Sequence, residues 1–374
     1  MPIDQKDPTD EISVSDRHEG YVAYTEYLSK KKDTGTVGQW KAAREAFEEF
    51  LQMNGHSLGD VGRSEANAFF EFLKRYDLTG GTAARYATWI LKYFRFLISV
   101  GVLEWNPVAL EYDSDLFEEQ ENTRKLHVPL DELREGLIDI RYPTTYARFF
   151  TALKTGMRRG EIANLDRRDV HLKGPIADSL PKPRAEIRDK PNSIFIPANI
   201  TKGEEYNGEV RAETNKRKQN TVIPIDDELH EVLTWYFSLS LPPLSPAKPV
   251  FVAQGTTGQG RQALGGRLQG GSFYNRVTNW AEKQGWCSDS DHVDGVTPHW
   301  ARHWFTTHLR NRIDEEELKG EERSQSVERY VKGLRGDTGD DVIDTYTHDW
   351  GEKPWLRDAY LNNIPKLLVP PIND

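Results

Sequence analysis

Apolar residues recur at spacings of three and four along roughly the first hundred positions. Tyr21, Tyr24 and Leu28 form one stripe, and Val37, Trp40, Ala43, Phe47, Phe50 and Leu51 form a second. Such spacing gathers each set on one face of an α-helix. Ser64 stands where it could cap a third helix carrying Phe69, Phe70 and Leu73. Thr82 could start a fourth with Tyr86, Trp89, Ile90, Tyr93, Phe94 and Leu97, which Gly101 would end. The pattern predicts an all-α domain over residues 16–110, preceded by a polar, disordered stretch at 1–15 and followed by an acidic linker at 111–126.

Past the linker, Pro129 to Ile138 and Thr144 to Thr155 keep the helical period, and Arg158 to Leu165 opens another helix after Thr155-Gly156. Then the period changes. Between 173 and 225, prolines separate the short β-type runs SIFIPANI (193–200), EVRAET (209–214) and NTVIPI (220–225), which predict a small antiparallel sheet. The stretch 173–214 is long for such a connection. Helices resume at Asp227 to Leu239, Ser272 to Gln284 and Pro298 to Asn311. The expected fold class is therefore mainly α with a small antiparallel β-sheet (α+β). GTTGQGRQALGGRLQGG (255–271) follows a predicted strand, PVFVA, and contains Gly258-x-Gly260-x-x-Ala263. Gly265-Gly266 would break the helix a dinucleotide fingerprint needs, and no GK[ST] is present, so the segment reads as a loop.

Composition narrows the function classes. A chain of 374 residues with 37% hydrophobic content supports two or three domains. Its one cysteine, Cys287, excludes an intramolecular disulfide and a multi-cysteine zinc site. The start MPIDQKDPTD lacks the basic and apolar regions of a signal peptide, and no uncharged run approaches the roughly 20 apolar residues of a membrane span, so a cytoplasmic protein is expected. The net charge of -10 opposes a simple nucleic-acid binder unless the charges are segregated. Acids do cluster at 113–121, 314–322 and in the first 20 residues, while bases collect from Lys154 to Arg168 and from Lys216 to Lys218. Such a balance would also suit a salt-rich cytoplasm, where counterion release contributes little to binding.

Candidate chemistry lies in three cationic stretches and one tyrosine. In TGMRRGEIANL (155–165), Arg158 stands at a helix junction, where a guanidinium can fork onto two phosphate oxygens. The plainer alternative is an i,i+3 pair with Glu161. In ETNKRKQNTVIPI (213–225), a lysine beside Arg217 could protonate a leaving oxygen, or simply belong to a solvated basic turn. In TPHWARHWFTTHL (297–309), Pro298 suits a helix start that sets His299 and Arg302 on one face, able to address one anion. His299 and His303 also have the i,i+4 spacing of a zinc pair, but the glutamate of HExxH is absent. Finally, Tyr346 stands among carboxylates, His348 and Trp350 in RGDTGDDVIDTYTHDW (335–350). A phenol with a pKa of about 10 becomes a nucleophile only beside cationic donors. Its plainer role is packing with Val342 and Ile343, with Arg335-Gly336-Asp337 as a turn.

In this order the stretches resemble the tyrosine recombinase family, the phage-type integrases, whose pattern is TGxRxxE, a hairpin lysine, HxxR and a tyrosine often written YxH. Here the elements stand as Thr155 to Glu161, Lys216, His299 to Arg302 and Tyr346-Thr347-His348. Lys216 is chosen because it stands eight residues before Pro224; Lys218 and Lys202 are rivals. The resemblance implies a catalytic set of Arg158, Lys216, His299, Arg302 and the nucleophile Tyr346, supported by Glu161 and Asp337. The reaction it implies cleaves and rejoins DNA through a 3′-phosphotyrosyl intermediate, with no metal, ATP or other cofactor. It makes 16–110, with its closing VLEWNPV (102–108), a core-binding (SAM-like) domain and 127–352 the catalytic domain, together a C-shaped clamp on double-stranded DNA. Four protomers would assemble on paired sites.

The tail 353–374 carries Leu356, Tyr360, Leu361, Ile364, Leu367 and Leu368, which either pack on a neighbouring subunit, as in the family, or on their own domain. One departure is plain: the family has histidine or tryptophan nine residues before the nucleophile, and this sequence has Asp337. A carboxylate only accepts hydrogen bonds, so it would orient Arg302 or His299, with Trp350 or His348 filling the missing contact. Type IB topoisomerase, non-catalytic DNA binding and a purely structural helical protein remain as alternatives.

Overall fold

The computed structural model describes residues 14–31, 34–75, 78, 80–109, 117, 124–254, 264–288, 293–318, 326–337 and 354–368. Contacts divide the chain into two compact units, Met1–Thr123 and Arg124–Asp374.

In the first unit the apolar stripes become α1 (Arg17–Lys31), α2 (Thr34–Met53), α3 (Arg63–Arg75) and α4 (Gly80–Ser99). Their shared core is aromatic. Trp40, Phe47, Phe69, Tyr93 and Phe94 are fully buried, with Tyr24 edge-on to Trp40 at 4.9 Å and Trp40 stacked on Tyr93 at 5.3 Å. Each such pair adds about 0.5–1.5 kcal/mol beyond its buried area. Trp40 keeps its indole N–H satisfied by donating to the Thr25 hydroxyl at 2.9 Å. Two helix starts differ from expectation. Ser64 lies inside α3, because Glu65 reaches back to accept the Gly62 N–H at 2.8 Å and the helix begins earlier; Thr82 lies inside α4, which begins at Gly80. Gly101, at φ +79, does follow the end of α4.

The second unit contains α5 (Leu130–Ile138), α6 (Pro143–Thr155), α7 (Arg159–Asn164), α8 (Asp227–Leu239), α9 (Gly270–Lys283), α10 (Pro298–Arg312), α11 (Val327–Arg335) and α12 (Pro354–Asn363). Helix α6 is central. It touches α8, α9 and α10, and residues 147 to 155 along it are buried throughout. The expected antiparallel sheet is three-stranded, β2 (Val170–His171), β3 (Ser193–Ile196) and β6 (Thr221–Pro224), with Ile194 opposite Ile223. Every residue of β3 and β6 is buried, so the sheet is covered on both faces.

Two strand expectations need correction, and one strand pair was not foreseen. EVRAET is extended only at β5 (Glu209–Val210), which pairs with β4 (Glu205–Tyr206) across Asn207 and Gly208 at φ +55 and +79. Two central residues of positive φ make the tight turn that suits a two-residue hairpin. PVFVA forms only isolated bridges, Asp166 to Pro249 and Val252 to Arg267. A parallel pair, β1 (Arg124–Lys125) with β7 (Val293–Asp294), has no periodic signature because two residues cannot display a period.

The long stretch 173–214 is anchored by buried ion pairs. Asp166, fully buried, receives Arg211 at 2.7 Å and Arg267 at 2.5 Å, and Arg184 meets Asp169 at 2.5 Å. The tail is anchored too, on its own unit: Leu356, Ala359, Tyr360, Ile364 and Leu367 enter the second core. Lys154, wholly buried, donates to Asp226 at 2.7 Å, Glu228 at 2.6 Å and the Pro365 carbonyl at 2.7 Å. Lys154 therefore contributes nothing to a basic surface. Among the described residues, no helix is long and apolar enough to cross a membrane.

Candidate active site

The second unit brings the ends of α6, α10 and α11 to one place. Helix α6 stops at Gly156, which takes φ +61, and a Cβ there would lie 2.4 Å from the Phe305 ring. Only glycine fits both the left-handed backbone and the space. Its carbonyl accepts Nη1 of Arg302 at 2.7 Å. Gly156→Ala is expected to lower stability by about 1–3 kcal/mol, measured by urea denaturation. An unchanged midpoint would contradict this account of the turn.

Arg158 follows as the N-cap of α7. Its N–H donates to Glu161 at 2.9 Å and its Nη1 to the other Glu161 oxygen at 3.0 Å, so the i,i+3 pair exists and caps the helix start. Arg217 donates to the same buried carboxylate at 3.1 Å and to the Leu334 carbonyl at 3.0 Å. Burial raises the Glu161 pKa, but Arg217, Arg302 and the Arg158 N–H outweigh it and hold the group below the ordinary carboxylate range.

Helix α10 starts on Pro298 with the Thr297 hydroxyl accepting the Trp300 N–H at 3.1 Å. Trp300, Trp304, Phe305 and Leu309 fill the core, which turns Arg302 inward, 1% exposed, and leaves His299 outside. Burial pulls the Arg302 guanidinium down to about 10, which still leaves it charged at pH 7. Helix α11 ends at Gly336, φ +65, with Gly336 N–H on Gly333 O at 2.9 Å and Asp337 N–H on Lys332 O at 3.2 Å. Those two bonds are the Schellman pattern. The remaining end carbonyls bind the cluster: Leu334 takes Arg217, Arg335 takes Arg302 at 3.1 Å, and Gly336 takes the Lys218 N–H at 3.1 Å.

That turn presents Asp337 to three guanidiniums. Oδ1 accepts Nη2 of Arg302 at 2.7 Å and also Nη2 of Arg158, while Oδ2 faces Nη2 of Arg335 at 2.8 Å. Burial raises the Asp337 pKa, yet Arg302, Arg335 and Arg158 together bring it below the usual value. The expected tie to Arg302 is present, joined by ties to Arg158 and Arg335.

His299 is exposed and its Nε2 lies 3.0 Å from Nε2 of His303, with the rings edge-on at 4.6 Å. Burial, Lys125 and Arg302 lower its pKa; burial and His299 pull His303 down to about 4. Both are neutral at pH 7. No group of three metal-ligating side chains exists among the described residues. Because folded His303 binds its proton less readily than the unfolded chain, its contribution to stability is complete above the ordinary 6.5 and is lost as pH falls toward about 4. The melting temperature should therefore drop across that window, and less steeply in His303→Gln; parallel curves would contradict the assignment.

Arg158, Glu161, Arg302 and Asp337 are thus brought together. Lys216 and Lys218 are exposed on the irregular segment between β5 and β6, which Arg217 and the Lys218 N–H tie to the cluster. Lys202 is exposed, its N–H held by the Thr214 hydroxyl at 3.0 Å. Tyr346, His348 and Trp350 lie outside the described residues. Two members of the cluster were not singled out from the sequence. Arg335 precedes the glycine that ends α11, where a cation is favoured, and Arg217 hides in the KRK run as if it were a solvated charge.

Residues 21–114 match the phage integrase SAM-like domain. In fold the chain is similar to a lambda integrase dimer bound to a COC′ core site, at 13% identity over 89% of this chain and 77% of that one, TM-score 0.55. It is similar to a lambda integrase tetramer bound to a Holliday junction, at 13% identity over 91% and 79%, TM-score 0.56. It is also similar to the Tn1549 transposon integrase in complex with a circular intermediate DNA, at 15% identity over 87% and 92%, TM-score 0.57. At such identities the likeness is one of fold, mainly helical with small sheets as the sequence predicts. No protein with a curated description matches the chain in sequence. The domain match and the shared fold bear out the resemblance to the tyrosine recombinases.

Proposed function

We propose that this protein is a site-specific DNA recombinase of the tyrosine type, an integrase that cuts and rejoins strands through Tyr346. The observation that carries the reading is the convergence of Arg158 and Arg302 on one anionic oxygen. Two guanidiniums so aimed could hold the equatorial oxygens of a phosphodiester, where charge builds in the transition state. The Tyr346 phenolate oxygen attacks phosphorus in line, the P–O5′ bond breaks, and Lys216 gives a proton to the departing 5′-oxygen. The products are a 3′-phosphotyrosyl protein and a 5′-hydroxyl. Since the ester keeps the bond energy, a second strand's 5′-hydroxyl reverses the step without ATP or metal.

His299, neutral at pH 7, contributes a hydrogen bond rather than a charge. Asp337 and Glu161 hold the arginines in register. Double-stranded DNA is the partner in this reading, with four protomers on paired sites. The integrases of similar fold were each captured on DNA, which supports the choice.

One observation favours a second reading, a DNA-binding protein without catalysis: the anion between the arginines is the protein's own Asp337. Tyr346→Phe separates the two. Exchange of strands between two plasmids bearing the site should vanish while duplex binding persists. Binding without exchange in the native protein at every candidate site would favour the second reading, and relaxation without exchange would indicate a topoisomerase.

A further inference from the structure

We propose that the cavity between the first turns of α6 and α9 binds a small phosphate monoester, at a site separate from the arginine cluster around Asp337. The cavity encloses about 380 Å³ and is lined by Tyr142, Thr145, Arg148, Ser272, Phe273 and Arg276, among others. That volume lies within the about 300–1,000 Å³ range typical of small-ligand sites. Its described lining has two arginines and no carboxylate.

Two independent features give it anionic preference. First, the early turns of both helices form part of its wall, Tyr142 to Thr145 from α6 and Ser272 and Phe273 from α9, and neither N-cap, Tyr142 nor Gln269, caps with its side chain. The positive ends and free N–H groups of a first turn favour a phosphate. The Gly270 N–H is taken by Glu213 at 3.2 Å, and Pro143 at the start of α6 has no N–H to give.

Second, Arg148 is 2% exposed, and its Nε and Nη2 have no hydrogen-bond partner. Its Nη1 reaches only the Gln269 carbonyl, at 3.4 Å, and the guanidinium lies over the Phe273 ring at 4.4 Å. Burial pulls it down to about 9, with Tyr236 and Glu213 opposing and Arg159 and Arg276 reinforcing the fall, so the charge persists at pH 7. A buried, unpaired charge is strongly unfavourable unless something neutralises it. An anion in the cavity would do so. At the rim, Arg276 lies over the exposed Tyr142 ring at 4.4 Å, a shelf on which a planar group of the ester could stack. The enclosure favours a small anion over the DNA backbone.

The test is calorimetric titration of the full chain with inorganic phosphate and with adenosine monophosphate, compared with Arg148→Met and Arg276→Gln. Arg276 is only half-buried, so its variant keeps the experiment open if Arg148→Met misfolds. The expected result is saturable binding that weakens at least about tenfold in each folded variant, with duplex DNA affinity unchanged. Equal affinity in native and variant chains would place the phosphate elsewhere and overturn the proposal. So would absence of binding, or loss of duplex affinity in Arg276→Gln without a phosphate effect.

Discussion

Arg302→Ala is expected to cripple strand cleavage and to cost about 3–5 kcal/mol of stability, the range for removing one partner of a buried charge pair. Both effects come from one side chain. Nη1 holds the carbonyl that ends α6, and Nη2 holds the Arg335 carbonyl and the Asp337 carboxylate. With Arg302 gone, two helix-end carbonyls lose a buried donor and Asp337 loses one of its cations. The rate effect should reach at least about 100- to 1000-fold, the scale for one preorganised donor at a developing charge. Arg302→Lys is no remedy, since an ammonium cannot span two carbonyls and a carboxylate with one planar fork. Urea melts separate the contributions, and cleavage is then compared where each variant is folded. A lysine variant that cleaves at the native rate would contradict the role given to the fork.

Asp337→Asn keeps the shape and removes the charge. Four arginines, Arg158, Arg217, Arg302 and Arg335, face two carboxylates, Glu161 and Asp337, which leaves two positive charges uncompensated. A phosphodiester contributes one negative charge, so it can join the cluster with Asp337 still in place. On this count Asp337 is a positioning residue. Its loss should destabilise the chain by about 2–4 kcal/mol at pH 7, somewhat less than a fully dry pair because the group is partly exposed. Since its folded pKa is depressed, that stability is complete above the unfolded carboxylate value of about 3.9 and is lost as pH falls through the folded value. The native melting temperature should therefore fall more steeply than that of Asp337→Asn in strong acid. Cleavage should drop at least about tenfold with duplex affinity kept. Faster cleavage would mean instead that Asp337 competes with the phosphate, and Asp337→His, which restores a donor, would then be faster still.

The helices were legible because their stripes are long: residues 37 to 51 alone define an apolar face for α2. Helix starts were less legible, since Ser64 and Thr82 look like caps while Glu65, from inside the helix, supplies the bond. Strands of two residues carry no period, so β1, β2, β4 and β7 were invisible. At the site, Arg158, Glu161 and Arg302 could be placed by motif, because their spacing along helices sets their direction. Arg217 and Arg335 could not, because they matter through helix-end carbonyls that only the tertiary fold brings within reach. The tie of Asp337 to Arg302 was anticipated from its departure from pattern, whereas its further ties to Arg158 and Arg335 emerge only in the structure.

The most direct test of the central claim is covalent capture on a nicked suicide duplex bearing a candidate site, followed by mapping of the modified peptide. The account predicts a denaturation-resistant adduct joined through a 3′-phosphate to Tyr346, absent from Tyr346→Phe. An adduct that persists in Tyr346→Phe, or that maps to another residue, would contradict it.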